Sequence, residues 1–222
     1  MNTRDIILLA AKRLYMENGF SDTTNTMIAK EAGVNLGLIT YYFKTKDVIA
    51  SDMLNYNYET LFSHVLNHLK TEDELLQIVT FFKLHFKLTE IDPDYDRFIY
   101  EMNKLDLLEK ATRDGNLYNL YRTIVDKNPL IDSSDKERIC DIGVAITFGV
   151  MRELTMKQFQ KDIIMSKEEL YDRCMTQMFY ALHIETNPLV LRTLFNASGS
   201  SVELLLEEHP HLKEVKNYLY KN

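Results

Sequence analysis

Ala29, Gly33 and Ile39 are the residues that most narrow what this 222-residue chain can fold into. The stretch that holds them reads TTNTMIAKEAGVNLGLITYYFKTKDVI, residues 23–49. Two helices that cross closely need a small side chain where they touch, and Ala29 supplies it. The turn between them needs positive φ, which Gly33 adopts without steric cost. The second helix must then anchor inward, and Ile28, Ala32, Val34 and Ile39 are spaced to do so. This is the helix-turn-helix plan, with helices near 25–32 and 36–42. A second helix of this kind enters a DNA major groove with its N-terminus at the base edges.

The residues that follow fit the same plan. Thr40, Tyr41 and Tyr42 stand at the end of the second helix, where hydroxyls meet phosphate oxygens, and Lys44 and Lys46 add positive charge beside them. Phosphate contacts position such a protein; base contacts specify its sequence. Tyr41, Tyr42 and Phe43 could also be plain core, but adjacent helical residues cannot all face inward. Phe43 is therefore read as core and the two tyrosines as backbone contacts. Charge agrees. Residues 1–46 hold six basic and four acidic side chains, a balance of +2, whereas the whole chain carries −7. An acidic body repels nucleic acid and membrane alike, so a contact with a polyanion must use the N-terminal segment.

Helical periodicity governs the remainder. Ile7, Ala10, Ala11 and Leu14 repeat along one face, and Gly19 ends that helix. Thr71 with Glu74, Ser134 with Glu137, Ser166 with Glu169 and Ser200 with Glu203 have the capping-box spacing. Asp92-Pro93 and Asn187-Pro188 read as an N-cap followed by proline at the first helical position. With four prolines and seven glycines in all, the chain divides into roughly ten helices and no strand. No run approaches the ~18 consecutive apolar residues of a membrane helix, and the charged first residues are no secretory signal. Cys140 and Cys174 have no metal-ligand spacing; they are read as buried packing in a reducing cytoplasm. His64 and His68 are four residues apart, but no carboxylate or cysteine at close spacing completes a metal site. No Ser-His-Asp set or glycine-rich phosphate loop supports an enzyme. No cofactor or metal is expected.

Over residues 5–50 the sequence resembles the TetR family of transcriptional regulators. The likeness is carried by ILLAAKRLYMENGF and by TTNTMIAKEAGVNLGLITYYFKTKDVI, with Thr23-Thr24, Ile28-Ala29, Ala32-Gly33-Val34, Gly37, Tyr42-Phe43 and Lys46-Asp47 at the family's relative spacing. The resemblance implies an all-α homodimer. An N-terminal three-helix head would bind a palindromic operator and a larger helical body would bind a small effector. It also implies phosphate contacts by Tyr41, Tyr42 and Lys46, a close approach to the groove at Gly37, and a cap at Thr24 flanked by Asn25 and Thr26. Two positions depart from the family. Leu36 stands where a polar or basic residue is frequent, and Thr40 where an aromatic is usual. The reading helix thus presents Asn35, Leu36, Leu38 and Thr40 without an arginine to fork onto guanine. Leu36 could touch a thymine methyl, and readout leans on DNA shape.

These readings divide the chain into a DNA-binding domain, 1–46, and a helical effector-binding and dimerisation domain, 47–222, with a helical extension from about 187. ICDIGVAITFGVM, residues 139–151, is apolar almost all round, so it is expected to be buried on more than one side. LYDRCMTQMFYAL, residues 170–182, carries two apolar stripes, Leu170, Cys174, Ala181 and Tyr171, Met175, Met178, Leu182. One stripe suits the core and the other a partner subunit, with Met178 on the partner side. Phe82, Phe86, Phe98, Met102, Tyr118, Tyr121, Phe148 and Met151 are the expected lining of a cavity for an apolar or aromatic effector; the competing reading is that all eight are core. Leu189, Leu191, Leu194, Phe195, Leu204, Leu205, Leu212, Val215 and Leu219 make the extension too apolar for a free tail. The function expected is a cytoplasmic, ligand-responsive repressor with double-stranded DNA, a small effector and itself as partners. An activator, an effector-independent regulator or a protein-interaction module stands as the alternative.

Overall fold

Side chains placed to accept the first free backbone N–H groups start most of the helices, and a computed structural model shows where each takes hold. It describes residues 2–113, 115–185 and 187–215. Among these the fold is all-α: α1 (Thr3–Asn18), α2 (Asn25–Glu31), α3 (Leu36–Phe43), α4 (Lys46–Leu69), α5 (Glu74–Ile91), α6 (Pro93–Lys104), α7 (Leu107–Thr112), α8 (Asn116–Lys127), α9 (Lys136–Phe159), α10 (Lys167–Ala181) and α11 (Pro188–Glu208), closed by a 3₁₀ turn (Pro210–Lys213). Asp92 and Asn187 cap α6 and α11 ahead of their prolines, and Ser166 caps α10 by accepting from Glu169 N at 3.0 Å. Three expected starts differ. Asp73, not Thr71, caps α5, and Thr71 Oγ1 instead accepts from Asp73 N. Ser134 turns back to the Asp132 carboxylate, which leaves Asp135 at the start of α9. Ser200 starts nothing, because Val202, Leu205 and Leu206 are buried against the body and carry α11 straight through the Gly199-Ser200-Ser201 run.

α5 is the axis of the body. Its buried side chains, Ile78 through Leu88, point in every direction, because α4, α6, α8, α10 and α11 all pack on it. The α11 segment buries Ser198, Val202, Leu205 and Leu206 there, and Leu212 and Val215 follow; Leu189 and Leu204 stay exposed, and Leu219 lies outside the described residues. α1, α2 and α3 pack on one another at the other end, and α4 runs from them into the body. Cys140 and Cys174 are buried and free. Among the described residues no helix is long and apolar enough to cross a membrane.

The two long helices near the C-terminal side correct the expected partner face. Both stripes of α10 are inside the same chain, since α10 lies between α9 and α5; Met178 is 0% exposed and cannot face a partner. The open surface is instead on α9, which is not buried all round. Ile142, Ala145, Ile146 and Gly149 form an exposed stripe on it, and Tyr180 stands exposed on α10.

α9 and α10 approach closely at Gly143, where a Cβ would fall 2.2 Å from Leu182 Cδ2. Leu182 is fully buried and has nowhere to turn. Gly143→Ala is therefore expected to lower stability by about 1–3 kcal/mol, the usual cost of overpacking, and urea denaturation of the variant would measure it.

Candidate nucleic-acid interface and its link to the body

The α2–α3 turn closes as its sequence requires. Val34 N donates to Ala29 O at 2.9 Å, and Gly33 sits at φ +64°. Ile28, Ile39 and Phe43 are buried on the inner side. The outer side of α3 then carries Leu36, Leu38, Thr40, Tyr41 and Tyr42, with Tyr41 77% exposed and its ring edge-on to Tyr42 at 5.1 Å. Thr24 Oγ1 accepts from Met27 N and caps α2, which leaves its own proton free to point outward. Asn35 Oδ1 accepts from Gly37 N at 2.8 Å and caps α3, which leaves its amide donors free at the start of that helix. Thr26 is exposed and Asn25 half-buried beside them. Lys44 is exposed but conformationally constrained: at φ +57° and ψ −55° it spans a three-residue turn in which Thr45 N donates to Phe43 O at 2.5 Å. A γ-turn of this hand is strained for any residue with a Cβ.

Lys46 plays a different part from the one its position suggested. Its ammonium donates to Phe20 O at 2.9 Å, Thr23 O at 3.1 Å and Ser21 O at 3.3 Å, and lies 4.4 Å from the centre of the Phe20 ring. Three donors meet three carbonyls, so none is left for a phosphate. The α1–α2 turn that Lys46 grips is held on its N–H side by α6. Glu101 accepts from Phe20 N at 2.7 Å and from Ser21 N at 3.1 Å, Arg97 donates to Met16 O, and Phe98 stacks on Tyr15 with ring centroids 6.2 Å apart. Sequence spacing could not show this clamp, because its members are about eighty residues apart and each looks like an ordinary surface charge. Lys12 is also inside, and burial lowers its ammonium to about 6.

The eight residues expected to line an effector cavity are brought into one body. Seven are buried and Tyr118 is half-buried. Phe82 meets Phe148 edge-on at 5.9 Å, Phe86 meets Tyr171 at 6.2 Å, and Phe98 faces the head rather than the middle of the body. Tyr118 instead donates to Asp141 at 2.9 Å. A cleft of about 580 Å³ opens between α5, α10 and α11, with Phe86 alone of the eight in its wall beside Tyr171, Phe195 and the paired Lys83 and Glu168. Deeper in, His85 of α5 faces the Tyr95 hydroxyl of α6 at 3.3 Å. Burial first, and then the charge of Lys167, lower the His85 imidazole to about 3. His64 and His68 make no metal pair: His64 packs against the rings of His209 and His211, and His68 Nδ1 lies 2.9 Å from Glu208. No group of three or more His, Cys, Asp or Glu among the described residues is arranged to hold a metal ion.

Three comparisons bear on this arrangement. Residues 7–53 match the family model described as "Bacterial regulatory proteins, tetR family". The "Probable HTH-type transcriptional regulator YttP" of Bacillus subtilis is 32% identical over 207 residues, which covers 88% of this chain and 95% of that protein. A second Bacillus subtilis protein, "Uncharacterized HTH-type transcriptional regulator YuxN", is 33% identical over 69 residues, which is 31% of this chain and only 23% of that protein's length. Among solved structures, the Thermus thermophilus FadR repressor in complex with lauroyl-CoA superposes with a TM-score of 0.57 at 18% identity, covering 83% of this chain and 97% of that one.

Two measurements follow from the geometry. Lys46→Ala is expected to lower stability by on the order of 2 kcal/mol of lost charged hydrogen bonds, and the melting temperature with it. Lys44→Gly should lower it not at all, since glycine accepts positive φ; equal losses in the two variants would contradict the distinction drawn between them. The second concerns pH. The unfolded chain protonates His85 near 6.5, while the folded chain resists until about 3. The unfolded state therefore binds more protons in that window, and stability falls as pH drops below 6.5, by up to ~1.4 kcal/mol per pH unit. His85→Gln should flatten that acid limb in melting curves taken from pH 7 to pH 4.

Proposed function

This chain belongs to the tetR family of bacterial regulatory proteins, which are DNA-binding transcriptional regulators and not enzymes, and on that footing we propose that it is an effector-released repressor acting in the cytoplasm. Residues 1–46 serve as the reading head and 47–222 as the effector-binding and dimerisation body. The observation that carries this reading is the pairing of an outward-facing α3 with a clamp that ties the same head to α6 of the body.

In this reading Asn35, Leu36, Gly37 and Thr40 approach base edges in the major groove, and Thr24, Asn25, Thr26, Tyr41, Tyr42 and Lys44 reach phosphates. Lys46 supports them from behind by fixing the α1–α2 turn. The dimer forms across the exposed stripe of α9. Ile142 and Ile146 are large apolar residues left uncovered, and a Cβ added at Gly149 would meet nothing within 4 Å, so that face has room for a close partner helix. Two heads must then meet half-sites about one helical turn apart, ~34–36 Å. An apolar effector that parts the body at α6 displaces Arg97 and Glu101, and with them the turn from which the head hangs. That couples the two sites through one conformational equilibrium. The lauroyl-CoA bound by the Thermus thermophilus protein supports an effector with a long apolar portion.

The test is selection from random duplex DNA with the wild-type chain and with Ile146→Glu. The expected product is a palindrome for the wild type and a loss of at least tenfold in affinity for Ile146→Glu, which should sediment as a monomer. Lys44→Ala should lower the salt slope of binding by about 1. Recovery of no common sequence by the wild type would instead favour the protein-interaction reading, to which the exposed Leu36 and Leu38 lend themselves.

A further inference from the structure

The interior of the body holds polar atoms that nothing among the described residues satisfies, and they converge. α4 supplies Asn57 and Tyr58, α5 His85, α6 Tyr95 and α8 Tyr121, all buried. Asn57 Nδ2 donates to the Tyr95 oxygen at 2.8 Å, and the Tyr95 hydroxyl faces His85 Nδ1 at 3.3 Å. The ring of His85 lies edge-on to Tyr58 at 5.7 Å and to Tyr95 at 6.0 Å. Because Tyr95 already accepts from Asn57, its proton is directed to Nδ1, and the neutral imidazole carries its hydrogen on Nε2. That Nε2–H has no acceptor. Asn57 Oδ1 has no donor, and the Tyr58 hydroxyl makes no hydrogen bond. Tyr121 stands apart from these, because Thr147 beside it gives its own proton to Gly143 O at 2.7 Å and keeps an oxygen that can accept from the Tyr121 hydroxyl. One donor, one acceptor and one hydroxyl are thus sealed from water, each with a desolvation penalty and no bond in return.

We infer that this cluster receives the polar end of the effector, an uncharged small molecule with an apolar body and one hydroxyl or carboxamide group. The inference rests on the effector-released reading above and specifies its ligand. An alcohol or amide both donates and accepts, so it can answer His85 Nε2–H and Asn57 Oδ1 together. Phe81 lies edge-on to Tyr58 at 5.5 Å, Phe82 adjoins Phe81 at 5.2 Å and Phe86 adjoins His85 at 5.5 Å, which supplies an apolar wall for the remainder of the molecule. Charge of either sign is unwelcome. Burial drives His85 away from its cation and raises the hydroxyls of Tyr58, Tyr95 and Tyr121 above the ordinary tyrosine value. Lys167 is the charged group that bears on His85, and it is already paired with Asp96 at 2.6 Å. Tyr95 also lies under two helical turns before Glu101 on α6, so a molecule that enters the cluster pushes on the helix that holds the head.

Four probes with one chain length separate the possibilities: dodecan-1-ol, dodecanamide, dodecanoate and dodecylammonium. Binding is read on the free protein from tyrosine fluorescence, which no tryptophan obscures in this chain. The two neutral probes should bind at least tenfold more tightly than the two ions. Tyr58→Phe should weaken the neutral probes about tenfold, the loss of one hydrogen bond, while raising the melting temperature of the unliganded protein. Absence of binding by both neutral probes, equal binding by an ion, unchanged affinity in this variant, or a lowered melting temperature in it would each overturn the inference. Weakening by Phe195→Ala alone, with Tyr58→Phe unaffected, would place the probe in the α5–α10–α11 cleft and overturn it as well. Since DNA is absent from this assay, its failure alongside intact operator binding removes the site and leaves the repressor. Selective probe binding without operator recognition does the reverse.

Discussion

The orientation of α3 depends on how the turn between α1 and α2 is held. That turn exposes backbone N–H groups on one side and carbonyls on the other, and a short loop cannot satisfy them internally. Glu101 takes two of the donors and Lys46 takes three of the acceptors. An anion and a cation from separate helices therefore grip the same five residues from opposite faces. Both bind backbone, so the grip fixes position, while the Phe20 ring under the Lys46 ammonium and the positive φ of Gly19 tie it to those two residue types. Tyr15 completes it by resting on Phe98 and donating to Lys46 O at 3.2 Å.

Because one half of that grip comes from α6, the head has no independent attitude. α6 is short, capped by Asp92 with Pro93 at its first position, and packed on α5 and α9. Its first turn reaches into the polar interior through Tyr95 and its last turn ends at the head. A displacement at one end of a twelve-residue helix is delivered to the other with little loss, since a helix is stiff over that length. On the proposed reading, coupling between the body and the DNA-reading surface rests on one rigid element whose two ends make hydrogen bonds in different neighbourhoods.

Much of the head was legible in the sequence, and for a definite reason. Ala29, Gly33 and Ile39 are constrained by sterics within one short stretch, and local constraints leave local patterns. The caps at Asp92, Ser166 and Asn187 were legible on the same ground, and so was the burial of α11. Lys46, Met178 and Ser134 were misplaced because their partners are remote or because a neighbour displaced them. The Asp132 carboxylate engaged Ser134, α5 covered the stripe that holds Met178, and the turn at Phe20 claimed the ammonium of Lys46. The Glu101 clamp and the buried Asn57–Tyr95–His85 chain had no signal at all, since neither involves residues close in sequence. The eight expected effector residues lie inside the body or at its edge, and a set of aromatics in a sequence cannot by itself tell the lining of a cavity from core packing.

The outer side of α3 has a consequence for how such a protein changes over generations. Leu36, Thr40 and Tyr41 are exposed and take no part in holding the chain together, whereas Ile39 and Phe43, interleaved with them, are buried. Substitution on the outer side leaves the folded state almost untouched, so on the proposed reading the recognised sequence can drift without a toll on abundance. The inner positions and the grip on the α1–α2 turn cannot vary in that way. Preference for one DNA sequence over another is thus the least entrenched property of the molecule, and duplicated copies would be expected to part company there first while sharing the same frame.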